Sequence, residues 1–414
     1  MTADAIDRYA DRAIDVDAHE FAPPHVWGAL FGEVGERVER VCSPLLAMQP
    51  EGYINRAWQA ADDMAMTADN VWTERHTGAP GAFDMRRRLE AMDLMSIEQQ
   101  LIFPSFALWG QMLATGGDGG GALSATMLEK VGQGLSNAAA RALGREAIDA
   151  YNGWALRMKA MAPDRLRFVG MLKPAVDLND LMSQVEGLLD RGIDGVIINT
   201  GSPPAGLSPA SPELDPFWSQ FTGRDVPVIA HVGGDLGFLG SSKWSQAPAF
   251  KPQKAALEVG QEPYSLATVH LAVQHFLTVM VLGGVFERHP SLRFGAIEFG
   301  AHWLGPLADN LDMWATKVFK RRISDTISMN PSAYLARNVR VTPFNDLESI
   351  AELFTDYPHL ANCYCYSTDY PHIEGGKRVR EKAVRALEPL GAAVVDQYFR
   401  RNGRWLVPHR AAAG

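Results

Sequence analysis

Asp17 and His19 stand two positions apart at the end of an apolar stretch, Ile14-Asp15-Val16-Asp17-Ala18-His19-Glu20. Residues two apart in a strand point to the same side, so both side chains could converge on one metal ion while Val16 and Ala18 face away. Taken alone, the same pattern describes a strand end with a solvated carboxylate and a hydrogen-bonded imidazole. Three later stretches shift the balance, because each ends in a residue that can bind a metal or move a proton: Val226 to His231, Arg293 to Glu298, and Cys363 to Asp369. Lys173 closes a further apolar stretch. A set so rich in carboxylate and imidazole suits one divalent cation, Zn2+ or Mn2+, with Mg2+ also possible because of the acidic bias.

Bringing such distant residues to one ion requires a fold that collects strand ends. The pattern reads as eight strands: the first at residues 14–20, then Gln99 to Phe103, Arg167 to Leu172, Gly195 to Asn199, Val226 to His231, Arg293 to Glu298, Val339 to Thr342 and Cys363 to Asp369. Helical patterns separate most of them, as at Asp84 to Met95, Ala122 to Met161, Asp177 to Arg191, Pro216 to Phe221 and Tyr264 to Phe286. Parallel strands need helical crossovers, and eight of them close on themselves. The expected fold is therefore α/β, a (β/α)8 TIM barrel formed by one domain over residues 1–414. Helical insertions follow strand 1, at about 21–95, and strand 5, at about 235–262. Active sites of such barrels lie at the C-terminal ends of the strands, where the candidate residues fall.

Composition narrows the function classes. Hydrophobic residues at 47% and charged ones at 21% describe a water-soluble globular chain. A net charge of -9 with no Lys/Arg-rich block offers no footprint for nucleic acid or an anionic membrane. Three cysteines, Cys42, Cys363 and Cys365, suit a reducing compartment rather than a disulfide framework. The N-terminus lacks an apolar signal region, and the longest apolar run, Phe276 to Phe286, is too short to cross a bilayer about 30 Å thick. A cytoplasmic location is expected. The glycine cluster at 116–121 lacks the Gly-Lys-Ser/Thr ending of a phosphate loop and reads as a turn, and there is no nucleophile elbow of the G-x-S-x-G type.

Four segments together carry a family resemblance: Ile14 to His19, Pro227-Val228-Ile229-Ala230-His231-Val232-Gly233, Gly283 to Arg293, and Ser367-Thr368-Asp369-Tyr370-Pro371-His372. In this order they resemble the amidohydrolase superfamily, amidohydrolase-related family 2. Within it they resemble the branch of aminocarboxymuconate semialdehyde decarboxylase and similar metal-dependent hydrolases. The resemblance implies one divalent metal held by Asp17, His19 and His231, with Asp369 binding the metal or its water and shuttling a proton. Two departures stand out. Asp17 replaces the first His of the frequent His-x-His, and Glu298 occupies a position where decarboxylases of this branch carry His. His302, four residues on, is a candidate to replace that imidazole.

Other polar residues read as structural or as substrate contacts. His270 and His275 fall on different faces of a helix, and His289 precedes a proline in a turn. Lys173 and His372 are candidates for contacting substrate. The leading expectation is a hydrolase acting on a small organic substrate, with Asp369 as general base and Glu298 orienting water or substrate. The alternative is a non-oxidative decarboxylase of a small aromatic or unsaturated acid, and a third reading is a barrel that only binds small molecules. The apolar content of the insertions suggests a homodimer or larger symmetric assembly.

Overall fold

The computed structural model describes residues 12–46, 62–115, 135–233, 263–345, 347–372 and 376–408, together with Phe238, Trp244 and 247–250. Seven parallel strands form one sheet in chain order: β1 Ala13–His19, β2 Ile97–Phe103, β3 Leu166–Met171, β4 Gly195–Ile197, β5 Val228–His231, β6 Phe294–Ile297 and β7 Val339–Val341. Nearly every strand residue is buried. That explains why these stretches read as apolar runs rather than alternations, since parallel strands are covered on both faces.

The eighth expected strand differs in form. Residues 363–370 bond on both sides, yet they make isolated bridges rather than a ladder. On one flank Val341 donates to the Cys363 carbonyl at 2.8 Å, and Cys365 donates back to Val341 at 2.9 Å. On the other, Asp369 donates to Asp17 O at 2.8 Å and His19 donates to Tyr370 O at 2.7 Å. This segment joins β7 to β1 and closes the barrel. Near its end Asp369 takes a left-handed backbone, φ 51°, which interrupts any extended run there.

Helices wrap the sheet: α1 Glu33–Leu46, α2 Met85–Leu94, α3 Phe106–Thr115, α4 Asn137–Lys159, α5 Leu178–Asp190, α6 Asp215–Arg224, α7 Leu271–Leu282, α8 Leu304–Met313, α9 Pro331–Asn338, α10 Ile350–Asp356, α11 Lys377–Leu387 and α12 Asn402–Leu406. Three of them start at capping side chains, which satisfy N–H groups that a first turn leaves unpaired. Asp84 caps α2, Ser136 caps α4, and Asp177 caps α5 by accepting from Asp180 N at 2.9 Å. Among the described residues α4 begins at Asn137, so the helix expected from Ala122 is seen only in its second part. The expected helix over Tyr264 to Phe286 is broken into Pro263–Thr268, α7 and Val285–Arg288. Gly284 causes the second break, since its φ of 74° cannot continue a right-handed helix.

Segment 21–95 holds α1, α2 and several short turns, while the insertion at 235–262 and the glycine cluster lie almost wholly outside the described residues. Gly144 of α4 lies so near α3 that an added Cβ would stand 2.4 Å from Gly110 O. That pair of glycines lets the two helices touch backbone to backbone. No helix among the described residues is long and apolar enough to cross a membrane.

Candidate metal centre

β1 supplies the first half of the site. Ile14 and Val16 pack outward against Gly403 of α12, which by the two-residue period turns Asp15, Asp17 and His19 to the barrel interior. His231 ends β5, Glu298 follows β6, and Asp369 lies in the closing segment, so four places in the chain meet at one rim. His231 Nε2 lies 3.4 Å from Asp17 Oδ1 and 3.1 Å from Glu298 Oε2. His19 Nε2 lies 3.5 Å from Asp17 Oδ1 and 3.3 Å from Asp369 Oδ1. Asp17, His19 and His231 can offer ligand atoms mutually within 4.8 Å, as can Asp17, Glu298 and Asp369, and also His19, Asp369 and His372.

Three features show that this donor set fits a cation. His19 is buried, and neither of its ring nitrogens makes a hydrogen bond, which is costly for a polar group held away from water. His231 donates from Nδ1 to Val232 O at 2.9 Å, fixing the tautomer that leaves the Nε2 lone pair facing the carboxylates. Three carboxylates crowd the same small volume, where each pair of unit charges about 4 Å apart repels by roughly 4 kcal/mol at an effective dielectric of 20. A divalent ion would relieve all three problems together.

The titration behaviour agrees. Burial by itself raises the Asp17 carboxyl, but the neighbouring imidazoles of His19 and His231 outweigh it and hold it at about 2. Burial lowers His19 to about 3, with His372 and His231 adding to the effect, so its ring stays neutral and able to ligate. Burial also disfavours the charged form of His231, yet Glu298 and Asp17 reverse the outcome and raise it. The negative field that draws a proton onto His231 is the field that would hold a cation there.

Glu298 and Asp369 share an unusual backbone. Both have positive φ, 65° and 51°, a region that residues other than glycine seldom occupy and that costs about 1–3 kcal/mol. The Glu298 N–H is anchored by Thr342 Oγ1 at 2.8 Å. Such strain persists only where surrounding bonds impose it, and here it places two carboxylates at the barrel mouth.

The site has supports that the sequence motifs do not single out. Asp15 is fully buried and accepts from Thr368 N at 2.9 Å, Thr368 Oγ1 at 2.6 Å, Gln100 Nε2 at 2.9 Å and Asp17 N at 3.2 Å. It thereby ties β1, β2 and the closing segment one layer below the cluster. Burial pushes its carboxyl up to about 7, and the Thr368 bonds pull it back only in part. The period-two rule that paired Asp17 with His19 would also have found Asp15. Glu20 behaves similarly, accepting from Ser105 N and Phe106 N where α3 begins. Arg88, wholly buried, donates to His19 O at 2.7 Å and faces the Tyr370 ring; nothing in the local pattern of α2 marked it. Asp15→Ala is expected to destabilise the fold by about 1–3 kcal/mol for each donor left unsatisfied, read by urea unfolding. No shift in the midpoint would contradict the tie.

Two candidates are directed elsewhere. Lys173 Nζ is held by both oxygens of Asp149 on α4, at 2.8 and 2.9 Å. His302 is 55% exposed and its Nδ1 lies 2.6 Å from Glu348 Oε1. Glu348 also accepts from the backbone of Ala301, His302 and Phe344, which makes it the knot joining the loops after β6 and β7. His372 does reach the cluster, with its ring 4.3 Å from that of His19 and 5.0 Å from Phe21. His289 bonds Asp215 at 3.1 Å, away from the site, as a turn residue would.

Comparison with known proteins settles the kinship. The family model described as Amidohydrolase matches residues 120–408, well over half of the chain. The chain belongs to this amidohydrolase family. No curated protein sequence matches it. Among solved structures, the chain is similar to an amidohydrolase from Mycobacterium avium subsp. paratuberculosis, with 19% identity, 96% of this chain and 99% of that chain covered, and a TM-score of 0.64. It is also similar to 5-carboxyvanillate decarboxylase from Novosphingobium aromaticivorans, solved with manganese and a nitrobenzoic acid: 16% identity, 97% and 99% coverage, TM-score 0.57. A 2,6-dihydroxybenzoate decarboxylase bound to 2,6-dihydroxybenzoate gives 16% identity, 96% and 100% coverage, and a TM-score of 0.55. At these identities the likeness concerns the fold, and it agrees with the TIM barrel expected from the strand pattern. As a family member the protein is a metal-dependent enzyme, with a buried His/Asp triad in the place where amidohydrolase barrels carry their chemistry.

Proposed function

We propose that this amidohydrolase-family protein is a non-oxidative decarboxylase of a small aromatic or unsaturated carboxylic acid. The observation that carries the reading is how little water its donors meet. The side chains of Asp17, His19, His231 and Asp369 are only 2–5% exposed. Phe103 packs 4.2 Å from the His231 ring and Phe21 packs 5.0 Å from His372. A dry, aromatic-walled site suits a reaction that consumes no water and favours neutralising a charge. Two of the folds it resembles belong to decarboxylases of aromatic acids.

Asp17, His19 and His231 would hold the ion, Mn2+ or Zn2+ with Mg2+ possible, and Glu298 and Asp369 lie within reach to complete its shell. Bound there, the ion supplies Lewis-acid polarisation of a substrate oxygen. Three carboxylates leave the site too negative to welcome an anionic acid unless one of them carries a proton. Asp369 is the group assigned that proton. As the bond between ring carbon and carboxylate breaks, its electron pair stays on the carbon, CO2 departs, and Asp369 delivers its proton to that carbon. Solvent then reprotonates Asp369. His372, beside His19 and Phe21, would contact the substrate ring. Lys173 and His302 have no part in this proposal, because Asp149 and Glu348 hold their polar ends.

A second reading is favoured by Glu298, whose side chain is 22% exposed, more than those of Asp17, His19, His231 and Asp369. Facing water, it could orient a hydrolytic attack with Asp369 as base. The two readings separate in 18O-labelled water. Decarboxylation is expected to release one CO2 per substrate with no label in the organic product, whereas label in that product and no CO2 would establish hydrolysis instead.

A further inference from the structure

We propose that Glu348 and Thr342, both in the loop after β7, are positioning residues that hold Glu298 against His231 and so set the affinity of the site for its ion. The proposal rests on the metal centre assigned to this site and is indifferent to which of the two reactions runs there. Glu298 Oε2 lies 3.1 Å from His231 Nε2. To bring it there the chain turns left-handed at Glu298, φ 65°, and again at Gly300, φ 71°. A residue other than glycine stays in that region only where surrounding bonds hold it.

The turn is held at both ends. Thr342 Oγ1 accepts from Glu298 N at 2.8 Å, and Trp303 Nε1 donates to the carbonyls of Phe299 and Gly300 at 3.1 and 2.9 Å. Glu348, only 9% exposed, accepts from Ala301 N at 3.0 Å and His302 N at 2.9 Å, and from Phe344 N at 2.8 Å on its own loop. Trp303 belongs to the turn and moves with it, whereas Thr342 and Glu348 reach across from the neighbouring loop. Of these two, Glu348 does so with a charge, which strengthens its bonds. Gly300 shows how closely the loops fit, since an added Cβ would stand 2.7 Å from Phe344 Cδ2 and 2.9 Å from Glu348 Oε1. His302 Nδ1 lies 2.6 Å from the same carboxylate, which gives that imidazole a place in the clamp rather than at the ion. Glu298 itself is 22% exposed, so a loosened turn would let its side chain swing to water.

The test is calorimetric titration of Mn2+ into the full chain after chelator treatment. Glu348→Gln keeps the size of the side chain but leaves one acceptor oxygen where the carboxylate uses both. It is expected to weaken Mn2+ binding about 10–100-fold, the usual loss when a partner that steadies a ligand is removed. Thr342→Val, which deletes the other acceptor at equal size, is expected to weaken binding in the same direction. In a Glu298→Gln background each change should shift the affinity by no more than about twofold, because the group it acts through is gone. A merely structural role predicts equal losses with and without the Glu298 carboxylate. Wild-type affinity in Glu348→Gln, or the same loss in both backgrounds, would overturn the proposal, and Thr342→Val decides by the same two criteria if Glu348→Gln does not fold. A wild type that takes up no Mn2+ would sink the metal centre itself, and this proposal with it.

Discussion

Replacing His19 by alanine is expected to empty the site of metal while leaving the barrel standing. The imidazole makes no hydrogen bond of its own, whereas the His19 backbone is held on both sides, donating to Tyr370 O at 2.7 Å and accepting from Arg88 at 2.7 Å. Removing the ring therefore deletes a ligand without cutting the strand's moorings. Loss of a partner that merely supports a ligand weakens metal binding about 10–100-fold, so loss of the ligand itself should cost at least the upper figure. Elemental analysis after dialysis should show close to one ion per wild-type chain and almost none in His19→Ala, with turnover lost in parallel. The metal should also stabilise the wild type, by about 4 kcal/mol at a thousandfold excess over its dissociation constant. Chelator should therefore lower the melting temperature of the wild type and leave that of His19→Ala unmoved. A variant that keeps stoichiometric metal would remove His19 from the ligand set.

The second large effect concerns Asp369→Asn. Asparagine matches the carboxylate in size and tolerates the left-handed backbone that Asp369 adopts at φ 51°. The Asp369 N–H bond to Asp17 O at 2.8 Å survives as well. The substitution thus removes a transferable proton and little else. Positioned acid–base groups contribute about 10²–10⁴ in rate, and a fall in kcat of that size is expected with metal content near one and a nearly unchanged KM. A variant that turns over at the wild-type rate would show that the proton comes from elsewhere, with Glu298 next in line. If metal content falls with turnover, the side chain serves as a ligand before it serves as an acid.

The parts of this site that could be read from the chain share one property: they depend only on neighbours in sequence. Asp17 and His19 share a face because a strand repeats every two residues, and His231 and Asp369 were visible because each ends a buried stretch where a barrel opens. The same rule would have revealed Asp15, whose place beneath the cluster needed no further information than its spacing. Lys173 shows where local reasoning stops. It stands just past the end of β3, as the pattern predicts, yet the direction of its flexible stem is set by Asp149, 24 residues earlier on a different element. His302 follows the same course, captured by Glu348 across two loops.

From the sequence alone came the family, the barrel, its strand ends and the acid-and-imidazole character of the rim, because parallel strands buried on both faces write a continuous apolar signal that breaks off where function begins. The tertiary structure alone decided which of those rim residues meet. Closure of the barrel by an irregular segment, the left-handed turns of Glu298 and Asp369, and the tie from Asp15 to Thr368 join residues up to 353 positions apart. Such contacts leave no periodic trace, since their energy comes from desolvating and pairing polar groups that become neighbours only after the chain has folded.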